Sequence, residues 1–355
     1  MEPGEAVEVI DPRGRALGTA HYSAASQISL RMLSRGVEII DEAFFLRRIE
    51  AAEAFRRRVV SGTDAYRVVY GEGDLLPALI VDRYGEYLTV QTLDQGMDRA
   101  KGEIVRALEK LYAPRGIIER NDSAVRRREN LPLVSGVLAG EAPEVAVVRI
   151  NGLQFHADLL HGQKTGVFLD QRENYVAAAR YARGAGLDCF TSGGGFALHM
   201  ARSCDSVEAV DSSAPALELA ERNRRANGIE NVRFREANAF DLLASLSAAG
   251  RSYATVVLDP PAFAKSRESL EGAARGYKEI NLRALRLLEP GGVLVSCSCS
   301  HHMSEAMLLE IVAEASLDAG RRLRVLERRT QAADHPILLT VPETHYLKCL
   351  IFQAL

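Results

Sequence analysis

The segment VVLDPPAF carries the most specific chemistry in the chain. A buried strand ends at Asp259, and Pro260-Pro261 then impose an extended turn without backbone donors. Carbonyls beside such a turn face outward and accept bonds from a flat, amino-bearing ring, on which Phe263 can stack. A chance strand-to-loop turn with two prolines is the alternative. Upstream, LDCFTSGGGFALHMA sets a Gly-rich turn, Phe190 to Gly195, between a strand and a helix. Gly193, Gly194 and Gly195 let backbone approach a ligand at the carboxyl end of that strand, although G-x-G-x-x-G spacing is absent. A tight turn with no ligand would use the same residues. Asp211, in VEAVDSS, ends the next strand, where a carboxylate can accept both hydroxyls of an adenosine ribose or start the following helix. Asn238, in REANAFDLL, ends the third strand within reach of an adenine edge. Doubly wound sheets bind ligands along this rim, so three polar features in order outweigh any one.

A particular scaffold must hold these groups. From about residue 170, strands and helices alternate through VEAVD, APALELAERNRRANGI, NVRFREAN, TVVLD, RGYKEINLRALRLL and VLVSCSCS. That rhythm predicts a mainly parallel sheet with helices on both faces. LRVLERRT and HYLKCLIFQAL, with no helix between them, predict an antiparallel hairpin at one edge. Earlier, VEVID and ALGTAHYS read as a hairpin, SQISLRML as a strand, and Asp41 to Val60 as a helix. Arg47, Arg48 and Arg56 to Arg58 lie on that helix, as a solvated face or a phosphate-contacting edge. Tyr66 to Leu93 holds three strands, Asp98 to Leu111 an amphipathic helix and GIIER a strand. NDSAVRRREN, with Arg126 to Arg128, is a loop or helix end, and VAVVRINGLQFHADL is a hairpin turning at Asn151-Gly152.

At 355 residues the chain is too long for one ordinary domain. Its 47% hydrophobic and 26% charged content excludes a disordered, collagenous or coiled-coil protein. A net charge of −3 excludes a globally basic nucleic-acid coat but leaves room for local basic patches. Five cysteines, an odd number with no C-x-x-C pair, fit neither a disulfide framework nor a zinc ribbon. The start, MEPGEAVEVI, has no signal-peptide pattern, and no apolar run suggests a membrane span. The expectation is a reduced, cytoplasmic, multidomain protein without metal or membrane partner.

LDCF-TSGGGF, VDSS, LDPPAF and LVSCSCS, in that order, resemble the class I S-adenosylmethionine-dependent methyltransferase fold. More narrowly, HGQKTGVFLDQREN, LDPPAF, RGYKEIN, SCSCS and QAADHPILLT resemble the bacterial rRNA large-subunit cytosine-C5 methyltransferase family. The resemblance covers nearly the whole chain. It implies an α/β protein: a Rossmann-like methyltransferase sheet over 151–355, a small central α+β domain over 59–150, and a partial PUA β-barrel for RNA over 1–58. It also implies S-adenosyl-L-methionine as cofactor, 23S rRNA or a large-subunit precursor as partner, and 5-methylcytosine as product. A homodimer is an admissible assembly.

The resemblance assigns roles too. Cys299 matches the family's nucleophilic cysteine, whose thiolate would add to carbon 6 of cytosine. Cys297 reads as packing, and Cys189, Cys204 and Cys349 as inert. Asp259 would hold the cytosine by its amine or ring nitrogen and would border the cofactor with Phe190, Ser192, Gly193 to Gly195, Asp211 and Asn238. Lys164 and Arg172 would meet the methionine carboxylate or RNA phosphate, with Asp170 and Gln171 fixing the loop; ion pairing would use the same residues. Arg275 and Lys278 would grip phosphates or form a solvated face. Three departures stand out. Ser192 and Gly193 replace a Tyr and a Thr of the family turn, which should loosen it. Asn238 stands where the family often has Asp. The start lacks an aromatic-rich segment, which implies either a trimmed PUA domain or a misassigned start. The competing functions are exocyclic-amine methylation of RNA at the DPPAF turn and an inactive RNA-binding ribosome-assembly factor. A small-molecule methyltransferase would have no use for a PUA-like domain.

Overall fold

The computed structural model describes residues 1–162, 167–264 and 269–355. The chain forms two units, residues 1–169 with 333–344 and residues 170–332 with 345–355. The sequence division at 151 therefore falls inside the first unit, to which residues 151–169 belong.

In the first unit the opening strands β1 (Ala6–Ile10), β2 (Ala16–Tyr22) and β3 (Leu30–Ser34) form an antiparallel sheet in that order. Helix α1 (Glu42–Val59) starts where the Asp41 carboxylate accepts the Phe44 N–H. Its apolar stripe, Phe44, Phe45 and Ile49, is buried with Val68, Val69 and Leu79. The helix thus shares a core with β4 (Ala65–Tyr70), β5 (Leu79–Tyr84) and β6 (Tyr87–Thr92), although it stands before the boundary expected at 58. Those strands continue through β7 (Gly116–Asn121) to β8 (Val134–Gly140) in a five-stranded sheet ordered β4-β5-β6-β7-β8. β6 and β7 pair in parallel, connected by α2 (Gln95–Arg99) and α3 (Lys101–Tyr112), a break at Ala100 where sequence predicts one helix. β9 (Ala146–Ile150) and β10 (Leu153–Ala157) make the expected hairpin, and Asn151 and Gly152 both take positive φ, as a tight primed turn requires.

The arginine triplets are not uniform faces. Arg56 is fully buried. It forks onto Asp74, with Nη2 at 2.7 Å from Oδ2, and donates to the carbonyls of Arg67 (2.9 Å) and Asp334 (2.8 Å). Arg126 is equally buried, donating to Asp98 (3.0 Å) and to the Pro132 carbonyl (2.9 Å). A buried guanidinium persists only when paired and hydrogen-bonded. Each triplet therefore has one structural arginine and two exposed ones, Arg57 and Arg58 or Arg127 and Arg128. That corrects the reading of Arg56–Arg58 and Arg126–Arg128 as single basic patches.

The second unit begins with α4 (Arg172–Tyr181) and holds β11 (Ala185–Cys189), α5 (Gly195–Met200), β12 (Ser206–Asp211), α6 (Ala214–Ala226), β13 (Val232–Glu236), α7 (Ala239–Ala248), β14 (Tyr253–Leu258), α8 (Leu270–Leu287), β15 (Leu288–Ser298), α9 (Glu305–Asp318), β16 (Leu323–Arg329) and β17 (Lys348–Ala354). Its seven-stranded sheet is ordered β13-β12-β11-β14-β15-β17-β16. β11 to β15 are parallel, and β17 enters antiparallel between β15 and β16, the edge hairpin expected from sequence. β14 is buried at every position, which explains its unbroken apolar run YATVVL. The strand order reverses between β11 and β14, and such a switch point opens a crevice at their carboxyl ends.

Candidate active site at the strand ends

The turn after β11 is held from several sides. Gly194 N–H donates to the Thr191 carbonyl, and Thr191 N–H donates to the Val210 carbonyl, each at 2.9 Å. The Ser192 N–H donates to Asp211 Oδ2, and the Asn223 amide donates to the Gly193 carbonyl, both at 2.9 Å. Phe190, Ser192 and Gly194 all take positive φ, a strained conformation for the first two that such bonding must sustain. These bonds hold the turn at the positions where Ser192 and Gly193 depart from the family pattern. The three glycines differ in their reasons. Gly194 needs its φ of +86°, and a Cβ on Gly195 would lie 2.4 Å from the Tyr175 ring. A Cβ on Gly193 would meet only ordinary contacts, the nearest at 3.7 Å. Nothing among the described residues demands glycine there, so its open backbone suits a ligand lying against the turn.

Asp211 is partly exposed at the end of β12, and its second oxygen accepts the Ser213 N–H (3.0 Å). Ser213, rather than Asp211, caps α6. Asn238 is exposed and caps α7, its Oδ1 accepting from Phe240 (2.9 Å) and Asp241. With Oδ1 engaged in the cap, the adenine contact expected of Asn238 is narrowed to donation by its amide nitrogen.

Asp259 follows β14 directly and accepts from Gln171 Nε2 at 2.9 Å. Gln171 Oε1 in turn accepts from Asn174 Nδ2 (2.7 Å), and Asn174 Oδ1 accepts from Arg329 Nε (2.9 Å). Arg329 begins the relay as a fixed donor, so each amide is oriented to donate toward the carboxylate. Gln171 and Asn174 are buried. Beneath the turn, Asp188 Oδ2 accepts from Thr191 Oγ1 (2.6 Å) and the Ala197 N–H (3.0 Å). Its Oδ1 is buried without a hydrogen-bond partner among the described residues. Burial pushes this carboxyl up to about 7.

Cys299 follows β15, and its Sγ lies 4.0 Å from the Pro260 carbonyl. It is partly exposed, whereas Cys189, Cys204, Cys297 and Cys349 are buried. Burial raises the thiols of Cys189 and Cys297 far above their ordinary range and that of Cys204 to about 11. Those groups remain protonated thiols. The segment around Cys299 is clamped by Tyr277 of α8, whose hydroxyl meets Ser298 Oγ at 2.8 Å and Ser300 Oγ at 3.1 Å. Ser300 also accepts the Ala264 N–H (3.3 Å), which ties the DPPAF loop to the cysteine strand.

The remaining substrate-binding candidates are more scattered. Lys164 lies outside the described residues. Arg172 is only 2% exposed and pairs with Glu173 at 3.4 Å, so it is not a surface cation open to RNA phosphate. Arg275 pairs with Glu271, and Lys278 sits between Glu314 (3.2 Å) and Asp318 (3.0 Å). Arg275 is exposed and Lys278 half-exposed, and both carry ion pairs of the kind a solvated face makes. Pro260 is buried and Pro261 exposed. The Phe263 ring packs 4.8 Å from Tyr277 and 5.9 Å from Phe240, so its neighbours here are aromatic side chains of the core. Sequence reasoning missed Asp188, Asn174, Tyr277, Arg329 and Lys348. Asp188 and Lys348 do carry a signal, a lone charge inside an apolar strand.

A switch-point crevice rimmed by a Gly-rich turn, two strand-end acids and a thiol defines a nucleotide-cofactor enzyme of the doubly wound class. Residues 78–353 match the S-adenosylmethionine-dependent methyltransferase model, and residues 1–35 match a PUA-like domain. The chain belongs to the S-adenosylmethionine-dependent methyltransferase family, with S-adenosylmethionine as its cofactor. Among named relatives, it is 42% identical to "Ribosomal RNA large subunit methyltransferase I" of Tolumonas auensis, over 100% of this chain and 91% of that one. The Escherichia coli O157:H7 protein of the same name is 38% identical over 97% and 89%. A solved methyltransferase, SMU.776 complexed with SAH, shares the fold with TM-score 0.86 at 21% identity, over 99% of this chain and 92% of that one.

Proposed function

We propose that the protein makes 5-methylcytosine in large-subunit (23S) ribosomal RNA through a covalent cysteine–cytosine adduct. The observation that supports it most is Cys299, the partly exposed thiol beside the Pro260 carbonyl among four buried ones. The names of the relatives, ribosomal RNA large subunit methyltransferase I, support the substrate.

Bound S-adenosylmethionine supplies an electrophilic methyl group. The residues do the rest. The Cys299 thiolate adds to carbon 6 of cytosine, forming the Sγ–C6 bond and making carbon 5 nucleophilic. Asp259, its carboxylate fixed by Gln171, hydrogen-bonds the cytosine amine or ring nitrogen and shares a proton with the ring as negative charge builds there. After transfer, the carbon 5 proton leaves to a base and the Sγ–C6 electron pair returns to sulfur. Asp211 and the Gly193 backbone hold the adenosine end, and the Asn238 amide donates to the adenine. The exposed arginines of the first unit meet RNA phosphate together with the PUA-like residues. The working division is 1–58 for RNA, 59–150 as the central domain and 151–355 for methyl transfer, in the cytoplasm.

Bisulfite sequencing of ribosomal RNA from cells with and without the gene tests the product, with loss of one cytosine signal expected. A Cys299→Ala variant should lose methyl transfer entirely, while Cys297→Ala keeps most of it. Full activity in Cys299→Ala would favour methylation of an exocyclic amine at the DPPAF turn.

A further inference from the structure

Lys348 lies where no reading of the motifs placed a functional group. It opens β17 and pairs across the sheet with Ser298, while its neighbour Cys349 pairs with Cys297. Its side chain is 3% exposed. Lysine is almost never buried so deeply without a charged partner. Here Nζ donates to two neutral acceptors, the carbonyls of Ser300 (2.7 Å) and Tyr346 (2.9 Å). An ammonium has three donors, and Ser300 is the residue next to Cys299. We propose that Lys348 is a positioning residue for Cys299, its ammonium stabilising the thiolate that attacks the base. This rests on Cys299 being the nucleophile.

The surrounding charges fit that role. Burial pulls the Lys348 ammonium down to about 8, and interaction with Cys299 opposes that fall. Near neutral pH the side chain is therefore still largely cationic, its ammonium held on the carbonyl of Ser300, the residue after Cys299. Among the described residues, Asp259 and Tyr277 beside Cys299 supply no positive charge. Asp259 precedes the Pro260 carbonyl that Cys299 faces, and Tyr277 of α8 is pushed upward, chiefly by burial with Cys299 adding to it. His301 is exposed, its ring 5.6 Å from Tyr346. Proton and electron counts are simple. The thiol proton leaves to solvent before attack, the thiolate pair forms the Sγ–C6 bond, and elimination returns that pair to sulfur.

The test is the pH dependence of Cys299 alkylation by iodoacetamide in the full chain, followed by mass spectrometry; the four buried cysteines react far more slowly. Lys348→Met should raise the alkylation midpoint by about one unit, roughly a tenfold loss of rate at pH 7, and Lys348→Arg should restore most of it. An unchanged midpoint in folded Lys348→Met overturns the proposal, because a merely structural lysine would not move the thiol. If that variant does not fold, the reciprocal measurement decides. In protein labelled at the lysine ε-carbon, Cys299→Ser should lower the Lys348 titration midpoint by NMR, and no change would overturn it. Neither readout uses RNA. A thiol shift together with active Cys299→Ala would sink the covalent mechanism and leave the ion pair standing.

Discussion

Asp188 has a carboxyl pushed up to about 7 by burial, against roughly 3.9 in an unfolded chain. Between these values the unfolded state releases its proton first. The native state then binds more protons, so stability from this group is fully present below about pH 4 and is lost as pH rises to about 7. Thermal unfolding of cofactor-free protein should show this loss, on the order of 4 kcal/mol across the window, and Asp188→Asn should flatten it. Gln171 makes a sharper test of the site. Gln171→Leu removes the donor to Asp259 Oδ1 and should slow single-turnover methyl transfer by about 10- to 100-fold, the worth of about 1–3 kcal/mol. Asp259 and Cys299 were legible in sequence because motifs carry them. The relay was not, since Gln171, Asn174 and Arg329 meet only after folding brings 155 residues of chain between them together.

The glycine turn separates ligand space from packing. Gly195→Ala would push a methyl into the Tyr175 ring and should cost about 1–3 kcal/mol, read as a lower melting temperature. Gly193→Ala meets no close contact, so its melting temperature should hold while S-adenosylmethionine affinity falls about tenfold or more by calorimetry. Equal damage from both would mean that the turn is purely structural. The parallel strands could be read because buried β-branched runs between helical periods leave few alternatives. Two elements escaped. β8 is mostly exposed or half-exposed and contains Gly136 and Gly140, so it lacks an apolar run. α7 follows β13 without a break in apolar character, its AFDLLASLSA starting at the Asn238 cap that sequence assigned to adenine. A capping residue and a ligand-binding residue look alike until the following N–H groups are located.

Charge on the intact chain averages to −3, yet exposed arginines cluster locally. Replacing Arg57, Arg58, Arg127 and Arg128 with Ala should weaken RNA binding and flatten its dependence on salt, with little change in melting temperature. Arg56→Ala or Arg126→Ala should instead destabilise by about 3–5 kcal/mol through stranded partners. A salt slope unaltered by the fourfold variant would remove these residues from the RNA surface. Between β16 and β17 the chain leaves the second unit, contributes residues 333–344 to the first, and returns. Asp334 there receives the Arg67 N–H at 2.8 Å and the Arg56 guanidinium. The units are therefore stitched by three covalent passages, not one linker. No single cut liberates either of them whole: a fragment ending at 169 strands Arg56 beside a missing carbonyl, and β17 pairs only after that detour is made. Proteolysis that nicks this excursion should loosen both halves at once, and a circular permutation opening there should be tolerated worse than one opening at an exposed surface turn.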